Sequence, residues 1–96
     1  MPRTDPGPDG LYSTGVHLSG ILVLADPQRL ETCQRQLESL QGVEVHHTDR
    51  SSGRMIAVLE SGTLEGQTEG LRRIQELDAV RLAALVEHRI DEEKQP

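Results

Sequence analysis

Between residues 16 and 90 the apolar positions recur with a period of two, then three to four, then two twice, then three to four, then two. The first period-two stretch is VHLSGILVLA, and from Ile21 to Ala25 it holds no polar side chain, so a strand here is apolar on both faces. Asp26-Pro27 follows as an N-cap and a proline at the first helical position. The spacing then predicts a helix from about Pro27 to Gln41, with Leu30, Cys33, Leu37 and Leu40 on one stripe and Gly42 just past its end. Val43 to Thr48 sets Val43, Val45 and His47 against Glu44, His46 and Thr48, the alternation of a half-buried strand. Asp49-Arg50-Ser51-Ser52-Gly53 is turn chemistry, and RMIAVLE resumes at once as the second arm of a hairpin. After Ser61-Gly62-Thr63 a second helix carries Leu64, Leu71, Ile74 and Leu77, with Thr68 on the same stripe. Asp78 and Ala79 break it, and Val80 to His88 forms a fourth strand. There Val80, Leu82, Ala84 and Val86 compete with Arg81, Ala83, Leu85 and Glu87 for the inner face.

The predicted order is strand, helix, strand, strand, helix, strand. Ile21-Leu22-Val23-Leu24 resembles Ile56-Ala57-Val58-Leu59, and Leu37, Leu40 and Val43 are echoed by Ile74, Leu77 and Val80. A doubled split βαβ unit is an α+β, ferredoxin-like βαββαβ sandwich, with both helices on one face of a four-stranded antiparallel sheet and strands one and three central. Residues 1–15, with three prolines and three glycines, read as a disordered head, residues 16–90 as the domain, and 91–96 as a flexible acidic tail. The internal match, read with β-branched residues inside, places Ile21, Val23, Ile56 and Val58 under the helices. Leu22, Leu24, Met55, Ala57 and Leu59 then form an apolar pad on the open face, beside Gly20. Large side chains there would gain roughly 1.5–3 kcal/mol each on burial, so a wet pad calls for a partner. Only Leu11 and Tyr12 of the head, with Val16 just after it, could fold back as apolar cover, and self-association through this face is the structural alternative.

Composition narrows the chemistry. Ten Lys and Arg against 16 Asp and Glu give a formal charge of −6, which disfavours nucleic acid and anionic lipid and favours basic partners. Aromatic residues make up 1% of the chain, so the base-stacking positions of an RNA-binding sheet are aliphatic here. The single cysteine, Cys33, fits a reducing, cytoplasmic setting and cannot supply a paired-cysteine metal loop; on its apolar stripe it reads as a small buried thiol without a base partner. No stretch approaches the ~18 apolar residues of a membrane span. The turn after strand one lacks the glycine-rich, arginine-bearing loop of a phosphate hydrolase. Antiparallel pairing of strands one and four brings His17 near His88, a metal or acid-base pair with no third ligand suggested by spacing, while His46 and His47 alternate to opposite faces. Arg72-Arg73 lies within a helical pattern and reads as a solvated helix edge. These features point to a binding protein without catalysis, cofactor or metal. A regulatory domain of this topology, binding a small ligand as a dimer, is the other class they allow.

HLSGILVLADPQRL, then LQGVEVHHTDRSSGRMIAVLE, then AVRLAALVEHRIDEE resemble the NapD family of cytoplasmic assembly chaperones for the periplasmic nitrate reductase, from about His17 to Glu93. The pieces that carry the resemblance are Ser19-Gly20-Ile21-Leu22-Val23, Gly42-Val43-Glu44-Val45 and Ser52-Gly53-Arg54, in this order and spacing. The resemblance implies a ferredoxin-like chaperone, a monomer or weak homodimer, that binds the twin-arginine signal peptide of the reductase's catalytic subunit. Binding would delay export until the cofactors are loaded. The peptide's apolar region would lie on Gly20, Leu22, Leu24, Met55, Ala57 and Leu59, and its arginines would meet Glu44, Glu60, Glu87 or the acidic tail. Strand addition at the edge formed by strand two is the other contact mode.

Overall fold

A computed structural model describes residues 15–91; the head, with Leu11 and Tyr12, and the end of the tail, with Glu92 and Glu93, lie outside the described residues. The all-apolar stretch forms β1 (Val16–Leu24), and Asp26 caps the next segment by accepting a hydrogen bond from the Gln28 amide at 2.9 Å. That segment opens as a 3-10 turn over Pro27–Arg29 and continues as α1 (Leu30–Glu38), with Leu30, Cys33 and Leu37 buried. The hairpin of β2 (Val43–Asp49) and β3 (Arg54–Ser61) follows, then α2 (Leu64–Gln75) and β4 (Leu82–Asp91). Thr63 caps α2 through a hydrogen bond from the Gly66 amide to its Oγ1, 2.9 Å long. The sheet order is β2-β3-β1-β4, antiparallel at every pairing, so β1 and β3 are central as the pattern predicts. Helix α1 packs on β2, and α2 packs on β3, β4 and β1.

The hairpin turn is fastened to the chain just past the end of β1. Asp49 Oδ1 accepts from the Ser51 amide and hydroxyl, the Gly53 amide donates to the Asp49 carbonyl, and the Ala25 amide donates to the Gly53 carbonyl at 2.8 Å. Gly53 has φ +75°, and a Cβ there would collide with the Ala25 carbonyl oxygen. This turn therefore requires glycine.

The register corrects the expected faces of β3. Residues directly opposite each other in an antiparallel pair share a face. Ser19, Ile21 and Val23 pair with Leu59, Ala57 and Met55, and all six are buried beneath the helices. Met55 and Ala57 are 0% exposed and Leu59 is 2% exposed, so none of the three belongs to the open pad. Ile56 and Val58, expected inside, stand on the open face opposite Leu22 and Gly20. The β-branched criterion failed because both faces of these strands are apolar, and propensity is too weak to set a phase between them. The helix decides it instead. A Cβ on Gly70 of α2 would lie 2.6 Å from Leu59 Cδ2, so α2 sits low on the sheet and the long leucine fills the gap beside it.

Two bulges complete the corrections. One falls in β2 between Val45 and His47, so that His47, with Glu44, faces the open side, opposite Ile56. The other falls in β4, where Leu85 opposes Ile21 and Glu87 opposes Gly20, leaving Val86 as the extra residue. Leu82 and Ala84 therefore share the open face with Leu24 and Leu22, while Ala83 and Leu85 lie on the helix side. On α2 the buried positions are Gln67 and Ile74; Leu64 and Thr68, expected on the inner stripe, are exposed. Strand four also starts two residues later than predicted, because Val80 and Arg81 still belong to the connection from α2.

Candidate functional site

The open face of the sheet consists of four rows running across the strands. Glu44, Val58, Gly20 and Glu87 form one; His47, Ile56, Leu22 and Ala84 the next; Asp49, Arg54, Leu24 and Leu82 the third. The fourth, outside the first, contains Glu60, Leu18 and Arg89. Its centre is half-exposed and apolar, formed by Leu18, Leu22, Leu24, Ile56, Val58 and Ala84, and its rim is charged. At strand spacings of about 4.8 Å, Glu44 and Glu87 stand roughly 14 Å apart, with an apolar floor between them.

Gly20 opens a hollow in that floor. A Cβ on Gly20 would meet Val86 Cγ2 at 3.6 Å and Glu87 Cβ at 3.8 Å, so its absence leaves space where every neighbouring row has a side chain. The hollow, about 220 Å³, is lined by Leu18, Ser19, Gly20, Val58, Glu87 and Arg89. Its electrostatics are uneven. Glu60 and Glu87 make no ion pair among the described residues, whereas Glu44 takes a 3.1 Å contact from His46 Nε2. Two carboxylates without an ion pair among the described residues thus flank Leu18 and Gly20, one from β3 and one from β4, and Arg89 lines the hollow beside Glu87.

Of the expected pad residues, the fold brings Gly20, Leu22, Leu24, Glu44 and Glu60 to one face, and it sends Met55, Ala57 and Leu59 to the core. Leu18, Ile56 and Val58 take their place, joined by Ala84, Leu82 and Val86 from β4. The signal was present in RMIAVLE. Positions 54, 56, 58 and 60 are Arg, Ile, Val and Glu, whereas 55, 57 and 59 are Met, Ala and Leu, so the strand has one wholly apolar face and one with charged ends.

Behind this face, the polar chemistry is structural. Gln67 of α2 is buried, and the two protons of its Nε2 are shared among the carbonyls of His17 (3.0 Å) and Leu59 (3.2 Å) and Ser61 Oγ (2.9 Å). Its Oε1 accepts from the Ser19 hydroxyl. Cys33 is fully buried; desolvation pushes its thiol above the ordinary range against the opposing pull of Arg29, so it behaves as a small apolar residue. Arg72 and Arg73 face solvent on α2, paired with Glu69 and Glu76 at 2.5–3.2 Å. No group of three or more metal-ligating side chains occurs among the described residues, and no helix there is long and apolar enough to cross a membrane.

This geometry has relatives. A protein named Chaperone NapD from Haemophilus influenzae is 26% identical over 77 residues, covering 80% of this chain and 83% of its own length. The solution structure of the E. coli Tat proofreading chaperone NapD matches with a TM-score of 0.72 at 25% identity, covering 83% of this chain and 84% of that one. Residues 16–92 match the sequence profile of the NapD protein family, and the chain belongs to that family.

Proposed function

We propose that this chain is a cytoplasmic assembly chaperone that acts by binding, without catalysis, and that its ligand is the twin-arginine signal peptide of a periplasmic nitrate reductase's catalytic subunit. While bound, the peptide is withheld from the twin-arginine translocase until the enzyme's cofactors are in place. The observation that carries this reading is the open sheet face: a half-exposed apolar floor around Gly20 with unpaired carboxylates beside it, in a member of a chaperone family. An apolar peptide segment laid across Leu18, Leu22, Ile56 and Val58 removes two wet surfaces at once, worth about 1 kcal/mol for each half-exposed side chain it covers. Paired arginines next to that segment meet Glu60 and Glu87, with Glu44 on the far rim. Such exposed pairs add steering and register more than affinity.

The test is calorimetric titration of the purified chain with a synthetic twin-arginine signal peptide. Leu22→Glu and Ile56→Glu are expected to weaken binding by about two orders of magnitude, since each sets a charge in the apolar floor, while the far-ultraviolet spectrum stays unchanged. Met55→Ala, on the other side of the same strand, is expected to cost about 2–5 kcal/mol of stability yet leave the affinity of the folded fraction intact. Replacing both peptide arginines with glutamine is expected to weaken binding and flatten its salt dependence. Unchanged affinity in Leu22→Glu and Ile56→Glu would remove the open face from the reading.

A further inference from the structure

One edge of the sheet collects the apolar side chains that the core leaves out. The large hydrophobic residues exposed among the described residues are Leu64, Leu82, Leu85, Val86 and Ile90, each 48–60% exposed. All but Leu64 lie on β4, and Leu64 stands beside that strand at the start of α2. β4 is an outer strand of the sheet, and among the described residues no strand covers its far side. The other outer strand, β2, exposes Glu44, His46, His47, Thr48 and Asp49 instead, the polar and charged side chains that blunt an edge. β4 also holds two charges without partners: Glu87 and Arg89 stand on the open face opposite Gly20 and Leu18, and neither makes an ion pair among the described residues. His88 between them turns to the helix side, where its Nε2 meets His17 Nδ1 at 3.3 Å in a hydrogen bond between the two imidazoles.

We propose that two copies of this chain pair antiparallel through β4, about a two-fold axis at His88, and join their sheets into one. Opposite residues of an antiparallel pair share a face, so the axis passes through a residue of the strand and not between two. Centred on Glu87 or on Arg89, the pairing sets like charges directly against each other. Centred on His88, it sets Glu87 against the partner's Arg89 and Arg89 against the partner's Glu87, two opposite-charge pairs from one register. From Glu87 to Asp91 β4 keeps unbroken register with β1, so this stretch accepts a straight partner. The bulge comes next. Because Val86 is the extra residue, Leu85 and Ile90 both face the helix side, and the partner's Ile90 comes to lie beside Leu85. There it meets a groove of about 130 Å³ between α2 and β4, lined by Leu64, Thr68, Leu71 and Leu85. Val86 leans to the open side, its Cγ2 3.6 Å from where a Cβ on Gly20 would stand, and lies along the stem of the partner's Arg89. One self-complementary surface thus covers Leu64, Leu85, Val86 and Ile90 and answers both lone charges. The proposal does not depend on the peptide reading, although both draw on Glu87.

Sedimentation equilibrium of the full chain between about 10 μM and 1 mM is expected to show an average mass that rises from near one chain toward two. Arg89→Glu, which opposes like charges across the axis, is expected to weaken the pairing by about tenfold or more. Adding Glu87→Arg to it restores the crossed pairs, and the dimer constant is expected to return to within about threefold of the unaltered chain. Both positions are exposed, so the far-ultraviolet spectrum is expected to stay the same in each variant. Leu22→Glu, on the open face, is expected to change the constant by less than about twofold. A mass of one chain throughout, undiminished pairing in Arg89→Glu, failure of the charge swap to restore it, or loss of pairing in Leu22→Glu would overturn the proposal.

Discussion

Gln67 illustrates how much one residue decides here. It occupies a turn of α2 where the apolar spacing allows a core side chain, and its amide ties α2 to β1 and β3 through four partners. Gln67→Leu, close in volume, leaves the Ser19 hydroxyl and two backbone carbonyls without that partner. The expected loss is about 1–3 kcal/mol for each group left dry, seen as a lower urea midpoint with an unchanged slope. Stability equal to that of the unaltered chain would mean that water or local rearrangement satisfies those groups. Nothing in the sequence marked Gln67: a glutamine in a helix reads as a surface residue until the partners across 48 and 50 residues are in place.

At the scale of elements, periodicity alone led to the right sandwich, because each helix and strand here is amphipathic or bounded by a strong breaker. Asp26-Pro27, Gly42 and the hairpin turn all fall where the chain changes direction. Gly53 is the most demanding of these positions. Gly53→Ala forces a side chain into the left-handed region and against the Ala25 carbonyl, with an expected cost of about 1–3 kcal/mol, read as a fall in the thermal midpoint. Gly62→Ala, which meets nothing within 4 Å, serves as the control and is expected to stay within about 0.5 kcal/mol. What periodicity missed were phase and bulges. In β1 and β3 both faces are apolar, so alternation cannot say which is inner, and Met55, Ala57 and Leu59 were read outward. Bulges insert one unpaired residue, His46 in β2 and Val86 in β4, and every position beyond reverses its face. The low seat of α2 was legible after the fact, in Gly66 and Gly70 four residues apart on its sheet-facing side.

For the whole molecule, the charge balance of −6 is spread over exposed carboxylates, and two of these titrate below their ordinary range. Hydrogen bonds from Ser51 and Ser52 lower Asp49, and hydrogen bonds from Arg72 and Arg73 lower Glu69. A carboxylate lowered on folding stabilises the native state fully above its unfolded value and loses that contribution as pH falls through the folded one. Urea stability is therefore expected to hold from neutral pH down to about 5 and to decline as the acid range below about 4.5 is entered. Glu69→Gln is expected to make that decline shallower; an identical profile in the variant would assign the loss to other groups. Solvent screens both sites, so added salt narrows the difference. The sheet order has one more consequence. β1 leaves the ribosome first, yet both of its neighbours are late, Arg54–Ser61 and Leu82–Asp91. The β2–β3 hairpin alone can close during synthesis, and β1 must wait while its two apolar faces remain uncovered, a slow, non-local step. The open face is thus complete only after β4 has emerged: Glu87 and Ala84 reach Gly20 and Leu22 once Leu82–Asp91 is available, and a peptide that needs both sides of that floor finds no seat before then.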